Sequence, residues 1–173
     1  MQIFSNRYLL ATLALWLGGC GPSITTYFTP AFVQKEGQFL TNPVALVNST
    51  EDQLQAAVSE QNHQLVYAAQ IAGNLDIYLQ SAEPGTEPRR LTQHSTDDTS
   101  PVFTIDSKHI VWVSKRADVK GDIWIMGANG KGQRKLTSRE SADSTPVCHP
   151  DGKRIFFTSR LKNQRQPGIQ VFD

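Results

Sequence analysis

The stretch Pro146-Val147-Cys148-His149-Pro150-Asp151-Gly152-Lys153-Arg154-Ile155-Phe156-Phe157 places two apolar runs on either side of an Asp-Gly pair. Such a pair tolerates the positive φ of a tight hairpin turn, so the stretch reads as two antiparallel strands. Working outward, Pro101-Val102, Asp106 and Ile110-Val111-Trp112 stand 45 residues before Pro146-Val147, Asp151 and Ile155-Phe156-Phe157. Leu65-Val66-Tyr67 stands 45 earlier again. Leu91-Thr92 returns as Leu136-Thr137 and Ser114 as Ser159 at the same offset, while Asp76-Ile77-Tyr78, Asp122-Ile123-Trp124 and Gly168-Ile169-Gln170 start 46 apart. Carried back once more, the register puts Leu46 on Leu91 and Ala56-Ala57-Val58 on Pro101-Val102-Phe103.

Within one period, β-branched and aromatic runs such as Ile110-Val111-Trp112-Val113 and Ile123-Trp124-Ile125-Met126 predict strands. Asn129-Gly130 and Pro84-Gly85 predict the turn before the Leu-Thr strand. A 45-residue unit with four short antiparallel strands is a β-propeller blade; a helical solenoid would show i, i+3, i+4 spacing. The expected fold is therefore all-β, with about three blades over residues 46–173. Propellers close with about four to eight blades, so the chain is expected either to belong to a longer propeller or to associate as two copies. In the second case Tyr67 and Phe157 are the residues expected between copies.

Residues 146–160, together with Gly121 through Met126, Gly130 and Lys135-Leu136-Thr137, resemble the WD40-like blade of the TolB propeller family, although the Trp-Asp pair of true WD40 repeats is missing. The resemblance spans 46–173. It implies a periplasmic, non-enzymatic module that binds proteins through loops at one end of its blades, with envelope partners of the peptidoglycan-associated lipoprotein kind. The same blade type also caps peptidases of the prolyl oligopeptidase class, which gives the alternative: the gating propeller of a hydrolase without its catalytic domain.

The amino terminus carries Arg7 and then a charge-free apolar run from Leu9 to Leu17. That run is far shorter than the roughly 20 residues of a membrane span and reads as a secretory signal. It ends Leu17-Gly18-Gly19-Cys20, which resembles the bacterial lipobox. The expected organisation is a signal peptide over 1–19, a lipidated segment over 20–45 beginning at Cys20, and the blades over 46–173. Gly21 stands where an inner-membrane retention signal would have Asp, so resemblance to lipoproteins implies anchoring at the outer membrane, facing the periplasm. Two or three acyl chains anchor stably where one does not. A net charge of +1 points to no polyanionic partner, and nucleic acid is not expected. Of two cysteines Cys20 is taken by lipid, leaving Cys148 as a small buried apolar residue.

No catalytic motif stands out: G-x-S-x-G, H-E-x-x-H and a Gly-rich phosphate loop are absent from the sequence. His63, His94, His109 and His149 fall on turns and linkers, and neither a cofactor nor a metal is expected. Adjacent strand residues point to opposite faces, which argues against Cys148 and His149 as a metal pair. Asp97-Asp98, Glu140 and Asp143 read as solvated loops. Asp106, Asp151 and Gly152 read as structural turn residues, and so do Asp76 and Asp122, whose carboxylates are expected to bond their own backbone two residues on. Arg89-Arg90, Lys115-Arg116 and Arg134-Lys135 read as a solvated rim, and the repeated aromatics as packing between blades.

Overall fold

The computed structural model describes residues 46–47, 53–59, 61–71, 73–137 and 140–173, which lie within one compact unit. The signal peptide and lipidation site expected over 1–45, Cys20 included, lie outside the described residues. Among the described residues eleven strands form three antiparallel sheets in sequence order. Blade 1 holds β1 (Gln53–Ser59), β2 (Gln64–Ala69), β3 (Asp76–Ser81) and β4 (Arg89–Arg90). Blade 2 holds β5 (Asp98–Phe103), β6 (His109–Ser114), β7 (Asp122–Gly127) and β8 (Arg134–Lys135). Blade 3 has three strands, β9 (Ser141–Cys148), β10 (Ile155–Leu161) and β11 (Gly168–Phe172).

The outermost strand corrects the sequence reading, because it covers Arg89–Arg90 and Arg134–Lys135 and stops before the Leu-Thr pairs. Leu91 and Leu136 still donate to the carbonyls of Ile77 and Ile123 at 2.7 and 2.8 Å. The next ladder acceptor is a side chain: Thr92 Oγ1 and Thr137 Oγ1 receive the N–H of Ile77 and Ile123 at 2.9 and 3.0 Å. A hydroxyl in that place ends the main-chain ladder.

The pleat decides what packs between blades. Along the second strand of each blade alternate residues face opposite ways, so Val66, Ala68, Ile77 and Leu79 of blade 1 meet Ile110, Trp112 and Met126 of blade 2. On blade 2's other face Val111, Val113 and Ile123 meet Ile155 and Phe157 of blade 3. Trp112 and Val111 are fully buried, and each such side chain stabilises the stack by about 1.5–3 kcal/mol through burial alone. Blade 1 turns Leu65, Tyr67 and Tyr78 away from blade 2, and there Leu46 and Val47 cover them. The expectation that Tyr67 and Phe157 lie at open faces is thus corrected, since the alternation puts Phe157 against blade 2 and Tyr67 under residues 46 and 47.

Each innermost strand carries a bulge at the same phase of the repeat. Register shifts fall between Leu54 and Ala57, between Thr99 and Val102, and opposite Phe156 and Thr158. Gln55, Ser100 and Thr145, spaced 45 apart, have φ of +54°, +52° and +48°. A bulge of this kind adds one unpaired residue and bends the strand. It also re-aims the side chains: Asp98 pairs with Ser114, on the face of β6 that looks to blade 1, whereas Val102 pairs with Val111, on the face that looks to blade 3.

Candidate functional site

The re-aimed strand starts bring acidic residues to one end of the blades. Asp98 pairs across β6 with Ser114, which pairs with Asp122, and in blade 3 Asp143 pairs with Ser159. Neighbouring blades meet there through the main chain, Asp98 N–H donating to Leu75 and Asp143 N–H to Gly121 at 2.8 and 3.0 Å. Asp76, Asp98, Asp122 and Asp143 are all at most 1% exposed. The reading of Asp98 and Asp143 as solvated loop residues is therefore corrected: the strands begin at or before them, so they sit inside the stack.

Buried carboxylates need cations or donors, and blades 1 and 2 supply them. Asp76 is paired with Arg90 Nη2 and also receives Thr92 Oγ1 at 3.2 Å. Asp122 is paired with Lys135 Nζ at 3.3 Å. Burial pushes the Asp122 carboxyl above its ordinary value, Lys135 opposes this, and the charge of Asp143 adds to it. Asp98 is paired with Arg116 Nη2 at 2.6 Å. Arg90, Arg116 and Lys135 are thus counter-ions of buried aspartates and not merely a solvated rim. Asp76 and Asp122 hold a hydrogen-bonding role in which these side chains, and for Asp76 also Asn74 Nδ2 at 3.4 Å, take the place expected of their own backbone two residues on.

Arg116 is the most fully enclosed of these cations. Its Nε donates to Ser114 Oγ at 2.9 Å and its Nη1 to Gln133 Oε1 at 2.8 Å. Its guanidinium lies 4.8 Å from the Trp124 ring centroid and 5.7 Å from that of Trp112. Gln133 Nε2 in turn donates to the Leu91 carbonyl at 3.0 Å, tying this assembly to blade 1. Residue order alone does not bring Asp98 and Arg116 together. The available signal was the period, which sets Asp98 on Asp143 and Ser114 on Ser159.

At the opposite ends of the strands lie the turns. Asp106 Oδ1 receives Thr104 Oγ1 at 2.6 Å and Lys108 N–H at 3.1 Å. Asp151 Oδ1 receives Lys153 N–H at 2.9 Å, and Asp151 Oδ2 receives Arg154 Nε at 2.8 Å. The Lys153 amide, helped by Arg154 and His149, holds the Asp151 carboxyl well below the usual carboxylate range. Gly152 has φ +70° and donates to the His149 carbonyl at 3.0 Å; Ser107 takes the equivalent place with φ +54°. Cys148 is half-buried, and burial, followed by the charge of Asp106, pushes its thiol up to about 11. Among the described residues no three His, Cys, Asp or Glu side chains gather as a metal site.

Blade 3 presents a different surface. On its face away from blade 2, Val147, Phe156 and Val171 stand side by side across three strands, with Ile169 opposite Thr158. Val147, Ile169 and Val171 are 59%, 78% and 48% exposed. Their equivalents in blade 2, Val102, Val111, Ile123 and Ile125, are the residues that blade 3 covers.

Three stacked antiparallel sheets with matched inter-blade cores define a propeller-blade protein. A family model described as the TolB beta propeller domain matches residues 43–173, and the chain belongs to that family. A structure assigned as TolB from Agrobacterium tumefaciens superposes with a TM-score of 0.63 at 20% identity, covering 70% of this chain and 46% of that one. TolB from Acinetobacter baumannii gives 0.60 at 20% identity, covering 68% and 29%. The propeller domain of the trilobed protease from Pyrococcus furiosus, described as having an open velcro topology, gives 0.52 at 12%, covering 71% and 39%. The chain thus spans less than half the length of these structures, which share its fold. The sequence matches no curated protein.

Proposed function

We propose that this chain is a non-catalytic protein-binding module of the bacterial cell envelope, tethered to the outer membrane by lipid on Cys20 and facing the periplasm. Membership of the TolB propeller family supports the periplasmic setting. The lipobox at Leu17 to Cys20 supports the anchor. The observation that carries the binding role is the match to the TolB propeller blade over residues 43–173, because stacked blades gather their loops at one end of a rigid scaffold, where binding residues concentrate. The partner is an envelope protein, of the peptidoglycan-associated lipoprotein kind, engaged through the turns that carry Asp106 and Asp151 at one end of the blades.

Two measurements test this. A palmitate analogue fed to cells should label the wild type and not Cys20→Ala; equal labelling overturns the anchor. Photocrosslinking residues at Lys108 and Lys153, in exposed turns at one end of the blades, should capture an envelope protein in whole cells while one at Lys120, at the other end, does not. Adducts with a second copy alone would replace the envelope partner by self-association, and no adduct overturns the docking role.

A further inference from the structure

The turn between β7 and β8 holds Asn129-Gly130, the one place in the chain where an asparagine precedes a glycine. Asn129 is exposed. Asn62, Asn74 and Asn163 precede His63, Leu75 and Gln164, whose side chains crowd the main-chain nitrogen next to the carboxamide. Gly130 has no side chain to crowd its own nitrogen, and it sits at φ +86°.

Two contacts act on the chemistry of this pair. The Asn129 carboxamide folds back over Gly130, because its Oδ1 receives the Lys131 N–H at 2.9 Å. From blade 1, Arg89 Nη1 donates to the Asn129 carbonyl at 2.9 Å and Arg89 Nη2 to the Ala128 carbonyl at 3.2 Å. The Lys131 amide polarises Asn129 Cγ toward a nucleophile and is a donor in place for the oxyanion that attack creates. The guanidinium lies on the oxygen over which amide resonance spreads the charge of a deprotonated Gly130 nitrogen. Electrophile and nucleophile of a ring closure are both activated, each by a different donor.

We propose that Asn129 is a self-modifying site, converted through a succinimide to aspartate and isoaspartate, with Arg89 accelerating the ring closure. Gly130 N–H releases the Gly127 carbonyl, to which it donates at 2.8 Å, and gives its proton to hydroxide. The nitrogen then bonds to Asn129 Cγ. The Cγ–Nδ2 bond breaks, and the departing nitrogen takes a proton from water and leaves as ammonia. Water adds next to one of the two ring carbonyls: addition at Cγ yields aspartate, and addition at the main-chain carbon yields isoaspartate. Nothing is oxidised or reduced. Either product sets a carboxylate beside Arg89 and Lys131, and isoaspartate also lengthens the main chain by a methylene where Arg89 ties blade 1 to blade 2. The site stands apart from the docking role, since every group it uses lies within the chain.

The test holds the full chain at mildly alkaline pH and follows each asparagine by peptide mass mapping, with fragmentation that separates isoaspartate from aspartate. Asn129 should convert ahead of Asn62, Asn74 and Asn163, and isoaspartate, which direct hydrolysis of the side chain cannot produce, should appear among the products. Arg89→Met should slow the conversion by about three- to tenfold, the effect of an exposed charge contact on a barrier. Arg89→Lys, which keeps the charge, should retain most of the rate, and it keeps the proposal testable if Arg89→Met misfolds. An Asn129 still intact when a free peptide of residues 126–132 has converted overturns the site. A rate unchanged or raised in Arg89→Met, or a rate in Arg89→Lys as low as that in a folded Arg89→Met, overturns the role of Arg89.

Discussion

Replacing Arg116 by Met keeps the stem and removes the charge, and the structure lets the consequence be sized. Asp98 is fully buried and the Arg116 side chain is 15% exposed, so solvent screens the pair little. Removing one partner of a buried pair costs about 3–5 kcal/mol, because the other charge stays behind unpaired. Contact with the Trp124 face adds about 0.5–1 kcal/mol in exposed settings and more when desolvated. Allowing for the residual exposure, a loss of about 3–4 kcal/mol is expected. Domains of this kind are stable by about 5–15 kcal/mol, so Arg116→Met should remain folded but visibly weakened. In urea, with a slope of about 2 kcal/mol per molar, the unfolding midpoint should fall by about 1.5–2 M. The companion is Arg116→Met with Asp98→Asn, which removes both charges and should recover part of the loss. A single mutant within about 1 kcal/mol of wild type would refute the reasoning, since it would mean that Asp98 does not depend on Arg116.

Three further outcomes are expected. Gly152→Val places a β-branched side chain at φ +70°, where its Cβ meets Ile105 Cγ2 at 3.1 Å; a destabilisation of at least about 1 kcal/mol should appear in the same urea titration, and an unchanged midpoint would contradict it. Asp151, whose folded pKa is lowered, contributes stability that is present above the unfolded value of about 3.9 and is lost as pH falls toward the folded value. Melting curves of wild type and Asp151→Asn should therefore differ near neutrality and converge in acid. Cys148, with its thiol raised to about 11, should react with a disulfide reagent at pH 8 about two orders of magnitude more slowly than a free cysteine, and reaction at the free-thiol rate would show that burial does not govern it.

The blades were legible because inter-blade packing forces the same residue classes to recur. Ile110-Val111-Trp112 and Ile155-Phe156-Phe157 occupy matching places in successive blades, and their 45-residue spacing is visible without coordinates. Asp151-Gly152 was legible for a local reason, the φ of one residue. The acidic row was not. Asp98 looks like a loop residue beside Asp97 and Ser100, and only a side chain 18 positions later makes it a buried ion-pair member. Face assignment also needed the structure. The bulge at Ser100 offsets the simple alternation from which the orientation of Asp98 would be read.

That bulge bears on which changes of length the repeat can inherit. Between the paired ends of the second and third strands the three blades have six, seven and eight residues, 70–75, 115–121 and 160–167. In the innermost strands the left-handed residue recurs at 55, 100 and 145 with no drift. A codon lost from the hairpin loop shortens a solvent-facing connection. A codon lost at the bulge restores plain alternation, sends Asp98 and Val102 to the same side of the sheet, and sets either a carboxylate in the apolar seam or a valine against the arginine. Duplication of whole units preserves this phase, and so does drift in the hairpin loops, whereas single-residue slippage in the first strand does not.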